Sequence, residues 1–93
     1  MLHSFYTTHM KIFITGAAGY IGGSIAERLR SEGHIVRGLV RRDTQAEGLA
    51  TRGITPVLGD LDDHALLMHE ARAADAVIDA ASSDHRASVE SLL

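Results

Sequence analysis

Apolar residues along the chain alternate between short continuous runs and longer segments in which they recur at helical spacing. The runs predict strands at residues 11–15, 35–40, 54–58 and 76–80. The segments between them predict helices at about residues 20–32, 44–52 and 64–73, and a last helix begins at Ser83 or Asp84. Strands alternating with helices are typical of an α/β fold with a parallel sheet.

Glycines and capping residues mark the ends of the predicted helices. Gly33 and Gly53 follow the first two helices, where glycine best tolerates a left-handed conformation. Thr44 and Glu47, three residues apart, form a capping box that predicts the start of the second helix.

Pro56 lies inside the third strand and fixes its place in the sheet. Proline cannot donate a hydrogen bond to a neighbouring strand, so this strand belongs at an edge. Right-handed crossovers then favour the order 3-2-1-4, a Rossmann-type doubly wound parallel sheet with about four strands. Ligands of such sheets bind where the winding reverses, which here lies at the carboxyl ends of strands one and four.

The turn between the first strand and the first helix is rich in glycine. Gly16 allows a sharp turn, Gly19 has no Cβ to keep a pyrophosphate from the backbone, and Gly22 allows close packing of helix and sheet. The helix then offers free N–H groups and a partial positive charge to an anion. This turn predicts a dinucleotide-binding site.

The residues after the second strand indicate which dinucleotide binds. An acidic residue there would accept a hydrogen bond from the ribose 2′-hydroxyl, whereas an arginine binds a 2′-phosphate. Arg41 and Arg42 precede the first acidic residue, Asp43, which favours NADP over NAD. In the alternative interpretation, both arginines lie on a solvated loop and bind nothing specific.

Aspartates follow the third strand and lie within the fourth. Asp60 accepts from an adenine amino group while Leu61 packs on the ring, or Asp60 only caps the following turn. Asp62 or Asp63 caps the third helix. Burial of Asp79 within its strand would demand a partner, and a structural hydrogen bond is the expected one.

Composition narrows the classes of function. A chain of 93 residues forms one domain at most, which we assign to residues 10–93 after an extension at residues 1–9. The net charge of -3 and the lack of a basic cluster argue against nucleic acid, and the absence of cysteine excludes thiolate chemistry. The six histidines show no helical pair suited to a metal. Without a membrane-spanning run or signal peptide, a cytoplasmic location is expected.

With these motifs the chain resembles the short-chain dehydrogenase/reductase superfamily, in the extended and atypical branches that include nucleotide-sugar epimerases, dehydratases and NmrA-like proteins. The matching segments are Thr15-Gly16-Ala17-Ala18-Gly19-Tyr20-Ile21-Gly22, Gly33-His34 with Leu39-Val40-Arg41-Arg42, Gly59-Asp60-Leu61-Asp62-Asp63 and Asp75-Ala76-Val77-Ile78-Asp79-Ala80-Ala81-Ser82. The resemblance implies cofactor-binding roles for Gly16, Ala18, Gly19, Tyr20, Ile21 and Gly22 around the pyrophosphate, Arg41 and Arg42 at the 2′-phosphate, Asp60 and Leu61 at the adenine, and Ala80, Ala81 and Ser82 beside the nicotinamide ribose.

The chain departs from the superfamily in the residues that would catalyse. Those enzymes usually act through a Tyr-x-x-x-Lys pair, but Tyr6 and Tyr20 are followed four residues later by Met10 and Ser24. No catalytic residue is therefore predicted. The resemblance implies the truncated, dinucleotide-binding portion of an NAD(P)-dependent oxidoreductase or epimerase/dehydratase.

Two alternatives come from other classes of function. One is a non-enzymatic NmrA-like redox sensor that binds NADP and signals to a partner protein. The other is a nucleotide-free interaction domain.

Whatever the function, a sheet that ends at its fourth strand would leave unpaired N–H and C=O groups at its edge. We therefore expect self-association through that edge, and a compact monomer in light scattering at high concentration would contradict it.

Overall fold

The computed structural model describes residues 9–80, which form one parallel sheet and the helices that cover it. In chain order the elements are β1 (Lys11–Thr15), α1 (Tyr20–Ser31), β2 (Ile35–Val40), α2 (Asp43–Thr51), β3 (Thr55–Leu58), α3 (His64–Ala73) and β4 (Ala76–Asp79). The strands pair in the order β3-β2-β1-β4. The predicted α/β class, strand order and edge position of the third strand are confirmed. The predicted extension and last helix fall largely or wholly outside the described residues.

One face of the sheet packs against α1 and α2. Its buried side chains are apolar and come from β1, β2, the two helices, the turn after β1 and the residues that follow α2 and β4: Ile12, Ile14, Ala17, Val36, Val40, Ala26, Leu49, Ile54 and Ala80. Gly38 in β2 sets the packing distance, because a Cβ there would lie 2.5 Å from the Cβ of Ala17 and 2.9 Å from Leu49. Removal of this apolar surface from water is the main contribution to folding.

The opposite face packs against α3. Phe13, Leu39 and Val57 are buried there beneath the helix. Val77 of β4 is in register with Phe13 and so faces the same side, but its side chain is 49% exposed. Among the described residues β4 is the second edge of the sheet. Self-association through it stays a prediction.

An ion pair joins α3 to β2. Arg37 donates two hydrogen bonds to the carboxylate of Glu70, from Nε at 2.7 Å and from a terminal nitrogen at 3.1 Å. Glu70 is only 5% exposed. These hydrogen bonds hold the pKa of Glu70 below its ordinary value, although burial opposes the shift, and they raise the pKa of Arg37. The pair was not predicted.

The start of α2 differs from the prediction. The expected capping box of Thr44 and Glu47 is wrong, because α2 begins at Asp43 with Arg42 as its N-cap. The side chain of Gln45 reaches back instead, and its Oε1 accepts from the backbone N–H of Arg42 at 3.1 Å. Gln45 occupies the third helical position, where glutamine makes this contact as readily as glutamate.

The other predicted helix-end residues are found where the sequence placed them. Gly33 after α1 and Gly53 after α2 have φ of +95° and +79°, as expected for left-handed caps. Asp63, one of the two candidates, caps α3 by accepting from the N–H of Leu66 at 3.3 Å. Within residues 9–80, no helix has the length and apolar character needed to cross a bilayer.

We expect Glu70→Gln to lower the free energy of unfolding by about 1–2 kcal/mol, less than for a fully buried pair because Arg37 is partly exposed. Because folding lowers the pKa of Glu70, the ion pair contributes its full stability at pH values above the ordinary pKa of 4.5. That contribution is lost as the pH falls through the lower pKa of the folded state. Urea unfolding at pH 7 and at successively lower pH measures both effects. The gap between wild type and variant should therefore narrow in acid.

Glu32→Gln is the matched control, because Glu32 forms an ion pair with Arg28 in which both side chains are largely exposed. Its effect should stay within about 0.5 kcal/mol at any pH. Equal losses from the two variants would contradict a special role for Glu70.

Candidate functional site

The corner between β1 and α1 is built on backbone alone. Gly16 has a φ of +73°, which favours glycine and turns the chain off the end of β1. The N–H of Gly19 donates to the carbonyl of Gly16 at 3.0 Å and closes the turn. Gly19 itself is extended, with φ of -76°, so its missing side chain is not required by backbone conformation.

The start of α1 has no side-chain cap. Gly19 is the N-cap residue, and the first turn holds no acidic side chain. The N–H groups of the first turn therefore carry a partial positive charge that no cap or acid of this turn neutralises. Tyr20 is 90% exposed and Ile21 is 43% exposed at the same corner. Free donors beside exposed apolar side chains are suited to an anionic ligand with a non-polar part.

Gly22 is the point at which α1 touches the turn. A Cβ there would overlap the carbonyl oxygen of Gly16 and would lie 3.2 Å from the Cβ of Ala80. Ala80 is buried, and its N–H donates to the carbonyl of Thr15 at 3.1 Å. The structure thus brings Gly16, Gly22 and Ala80 together at the carboxyl ends of β1 and β4, where the winding reverses.

The arginines after β2 lie at the same edge of the sheet. Arg41 and Arg42 are exposed, and neither forms an ion pair with any residue between 9 and 80. The N–H of Gly59 donates to the carbonyl of Val40 at 2.9 Å, which fixes the end of β3 beside the end of β2. Among the described residues, nothing pairs with either guanidinium group, which leaves both open to a ligand at the carboxyl ends of β2 and β3.

Asp60 and Leu61 follow β3 along this edge. Asp60 Oδ1 accepts from the N–H of Asp62 at 3.2 Å, so the turn-capping interpretation describes what Asp60 does in the free protein. Leu61 is 39% exposed. Contact with an adenine ring stays a prediction for both residues.

Asp79 makes the structural hydrogen bond that was expected. Its Oδ1 accepts from the hydroxyl of Thr15 at 2.6 Å. The side chain is exposed, because β4 lies at the edge of the described sheet. Thr15 is the buried partner, at 6% exposure.

Two predicted positions, Ala81 and Ser82, lie outside the described residues. Ala18 is exposed within the turn. Across residues 9–80, no group of three or more His, Asp or Glu side chains is arranged to hold a metal ion.

A pocket of about 300 Å³ lies elsewhere, at the amino ends of the strands. Its lining includes Lys11 and Ile35 at the starts of β1 and β2, and Ala73 at the end of α3. It is therefore separate from the glycine corner.

The chain is similar to known proteins over most of its length. The family model described as the NmrA-like family matches residues 8–91. An uncharacterised protein of Schizosaccharomyces pombe is 45% identical over 69 residues, which cover 74% of this chain and 23% of that protein. Phenylcoumaran benzylic ether reductase 1 of Arabidopsis thaliana is 38% identical over 80 residues, covering 77% of this chain and 26% of the reductase.

Solved structures show the same fold. The structure of AtPrR2 with NADP+ and (+)pinoresinol is similar with a TM-score of 0.69 at 22% identity, covering 80% of this chain and 26% of that one. At this identity the likeness is one of fold. The chain spans about a quarter of the length of the curated relatives it matches.

We expect Gly22→Ala to lower the free energy of unfolding by about 1–3 kcal/mol, because the added methyl group forces α1 away from the carbonyl of Gly16. Gly48→Ala is the control. Gly48 lies in α2 with no atom within 4 Å of an added Cβ, so this change should raise stability by up to about 1 kcal/mol. Thermal or urea unfolding measures both, and two changes of the same sign and size would contradict the close contact.

Proposed function

The chain belongs to the NmrA-like family, and from that premise we propose that it is the dinucleotide-binding portion of an NAD(P)-dependent oxidoreductase or epimerase/dehydratase. The observation that carries the proposal is the uncapped start of α1 on the glycine turn, with no acidic residue in its first turn. Such a corner supplies oriented N–H donors and a partial positive charge where the winding of the sheet reverses. A diphosphate is the group that both features suit.

Each part of a dinucleotide then has a proposed partner along the carboxyl edge. Gly16, Ala18, Gly19, Tyr20, Ile21 and Gly22 hold the pyrophosphate, Arg41 and Arg42 the 2′-phosphate, Asp60 and Leu61 the adenine, and Ala80, Ala81 and Ser82 the side of the nicotinamide ribose. We propose NADP rather than NAD. The two exposed guanidinium groups support this choice, as does the presence of NADP+ in the structure of AtPrR2.

The proposed chemistry of the whole protein is hydride transfer. The nicotinamide would supply or accept a hydride at a carbonyl or carbinol carbon. The residues of this chain would bind and orient the cofactor, and none of them is proposed as an acid or base. Similarity to phenylcoumaran benzylic ether reductase 1 supports a reductase. A cytoplasmic location and self-association through the outer edge of β4 are part of the proposal.

The match to the NmrA-like family favours a second candidate, a redox sensor that binds NADP and signals to a partner protein without catalysis. The two candidates share the cofactor site and differ in turnover. NADPH oxidation by a carbonyl compound would favour the enzyme. Association with a partner that depends on NADP, without turnover, would favour the sensor. A nucleotide-free interaction domain would bind no dinucleotide at all.

Titration of the purified protein with NADPH and with NADH, followed by cofactor fluorescence, tests the proposed function. We expect saturable binding of both, with NADPH bound more tightly. The double variant Arg41→Ala with Arg42→Ala should weaken NADPH binding by on the order of tenfold or more and leave NADH binding nearly unchanged, because only the former carries a 2′-phosphate.

Arg72→Ala is the control for charge, since Arg72 lies in the last turn of α3 rather than at the carboxyl edge. It should change neither affinity. The absence of saturable binding of either dinucleotide would refute the function, and equal weakening of both by the double variant would refute the preference for NADP.

A further inference from the structure

One side-chain oxygen organises the backbone between β2 and α2. Gln45 Oε1 accepts hydrogen bonds from two successive backbone N–H groups, those of Arg41 and Arg42, each at 3.1 Å. Gln45 is half-buried, whereas both arginines are exposed. The two peptide units that carry the arginines are therefore fastened to the first turn of α2.

We infer that Gln45 is the positioning residue for the 2′-phosphate site: it fixes the backbone of Arg41 and Arg42 so that both guanidinium groups face the same phosphate. The inference rests on the proposed function above and adds to it a determinant of specificity. Gln45 would not touch the nucleotide. It would act through the two arginines.

The carbonyl groups of Val40 and Arg42 accept from the N–H groups of Gly59 and Ala46, whereas the N–H groups of Arg41 and Arg42 have Gln45 as their described acceptor. An arginine side chain has no hydrogen-bond acceptor, so Arg42 at the N-cap cannot accept from the helix as serine or aspartate would. The contact from Gln45 is therefore a one-sided cap. Neither guanidinium has an ion-pair partner within residues 9–80, so the backbone is the part of each arginine that the structure holds in place.

Fixing the backbone favours binding because less freedom is lost when the phosphate arrives. A free arginine side chain loses on the order of 2 kcal/mol of rotamer entropy when ordered. A loop with a mobile backbone loses more, and pre-organisation removes that added cost. The effect should be selective, because a dinucleotide without a 2′-phosphate does not use the arginines.

The Gln45 side chain is uncharged, and this matters for phosphate binding as much as its hydrogen bonds do. A glutamate could accept from the same two N–H groups, but it would place a negative charge beside the phosphate and compete for the guanidinium groups. Asp43 already contributes one negative charge in the first turn of α2. An amide oxygen provides the clamp without adding a second.

Gln45→Met tests the clamp, since methionine has a similar length and shape but lacks the amide oxygen. We expect the dissociation constant for NADPH to rise about tenfold and that for NADH to change less than about twofold. Thr51→Val is the matched control. It removes a side-chain hydrogen bond, to the carbonyl of Gly48 at 2.8 Å, from the far end of the same helix, and should alter neither constant.

Gln45→Glu tests whether residue 45 lies close to the 2′-phosphate. This variant keeps a hydrogen-bond acceptor, so it remains informative if the Met variant fails to fold. We expect weaker NADPH binding with NADH binding and melting temperature retained. Unchanged NADPH affinity in a folded Met variant, or equal losses for both dinucleotides in that variant, would overturn the inference. If the wild-type protein binds neither dinucleotide, the proposed function itself fails. Wild-type preference for NADPH with unaltered variants rejects only the role of Gln45.

Discussion

The close contact between the start of α1 and the carbonyl of Gly16 is the constraint on which the rest of the structure depends. Only glycine at position 22 permits it, because any Cβ would overlap that carbonyl oxygen. The contact brings the amide-rich end of the helix to the carboxyl edge of the sheet without a side chain between them. The same approach places Ala80 beside Gly22 and so joins the ends of β1 and β4.

The charged groups at the carboxyl ends of the strands differ from the ion pair that lies within the sheet. At the carboxyl ends of the strands, the first turn of α1 has no side-chain cap, and the exposed Arg41 and Arg42 have no ion-pair partner within residues 9–80. Midway along the sheet, the bidentate pair of Arg37 and Glu70 joins α3 to β2. Charges that stabilise the fold are paired and partly buried, whereas those proposed to bind a ligand are left open to it.

Most of the fold could be predicted from local patterns. Apolar periodicity and glycine at helix ends depend on neighbouring residues only, and Pro56 alone indicated an edge strand. The pair of Arg37 and Glu70 could not be predicted, because the two residues are 33 positions apart and nothing near either one signals the other. Whether Asp79 is buried could not be decided from the sequence for a related reason, since the exposure of an edge strand depends on what lies beside it.

The site was predicted in its positions more fully than in its contacts. The sequence indicated the glycine turn and the arginines, and the structure places them along one edge. The sequence analysis did not identify Gln45 as the residue that holds the backbone of the arginines, although a glutamine at the third helical position is itself a capping signal. Thr44 with Glu47 satisfied the commoner form of that signal, and the chain entered α2 too early for it to form.

The most direct measurement is a titration of the ¹⁵N-labelled protein with NADP+, read from its backbone amide resonances. The account predicts that the largest saturable shifts occur at the N–H groups of Tyr20, Ile21 and Gly22, where the diphosphate would meet the helix. Shifts confined to the pocket beneath the end of α3, or no change at the first turn of α1, would contradict it.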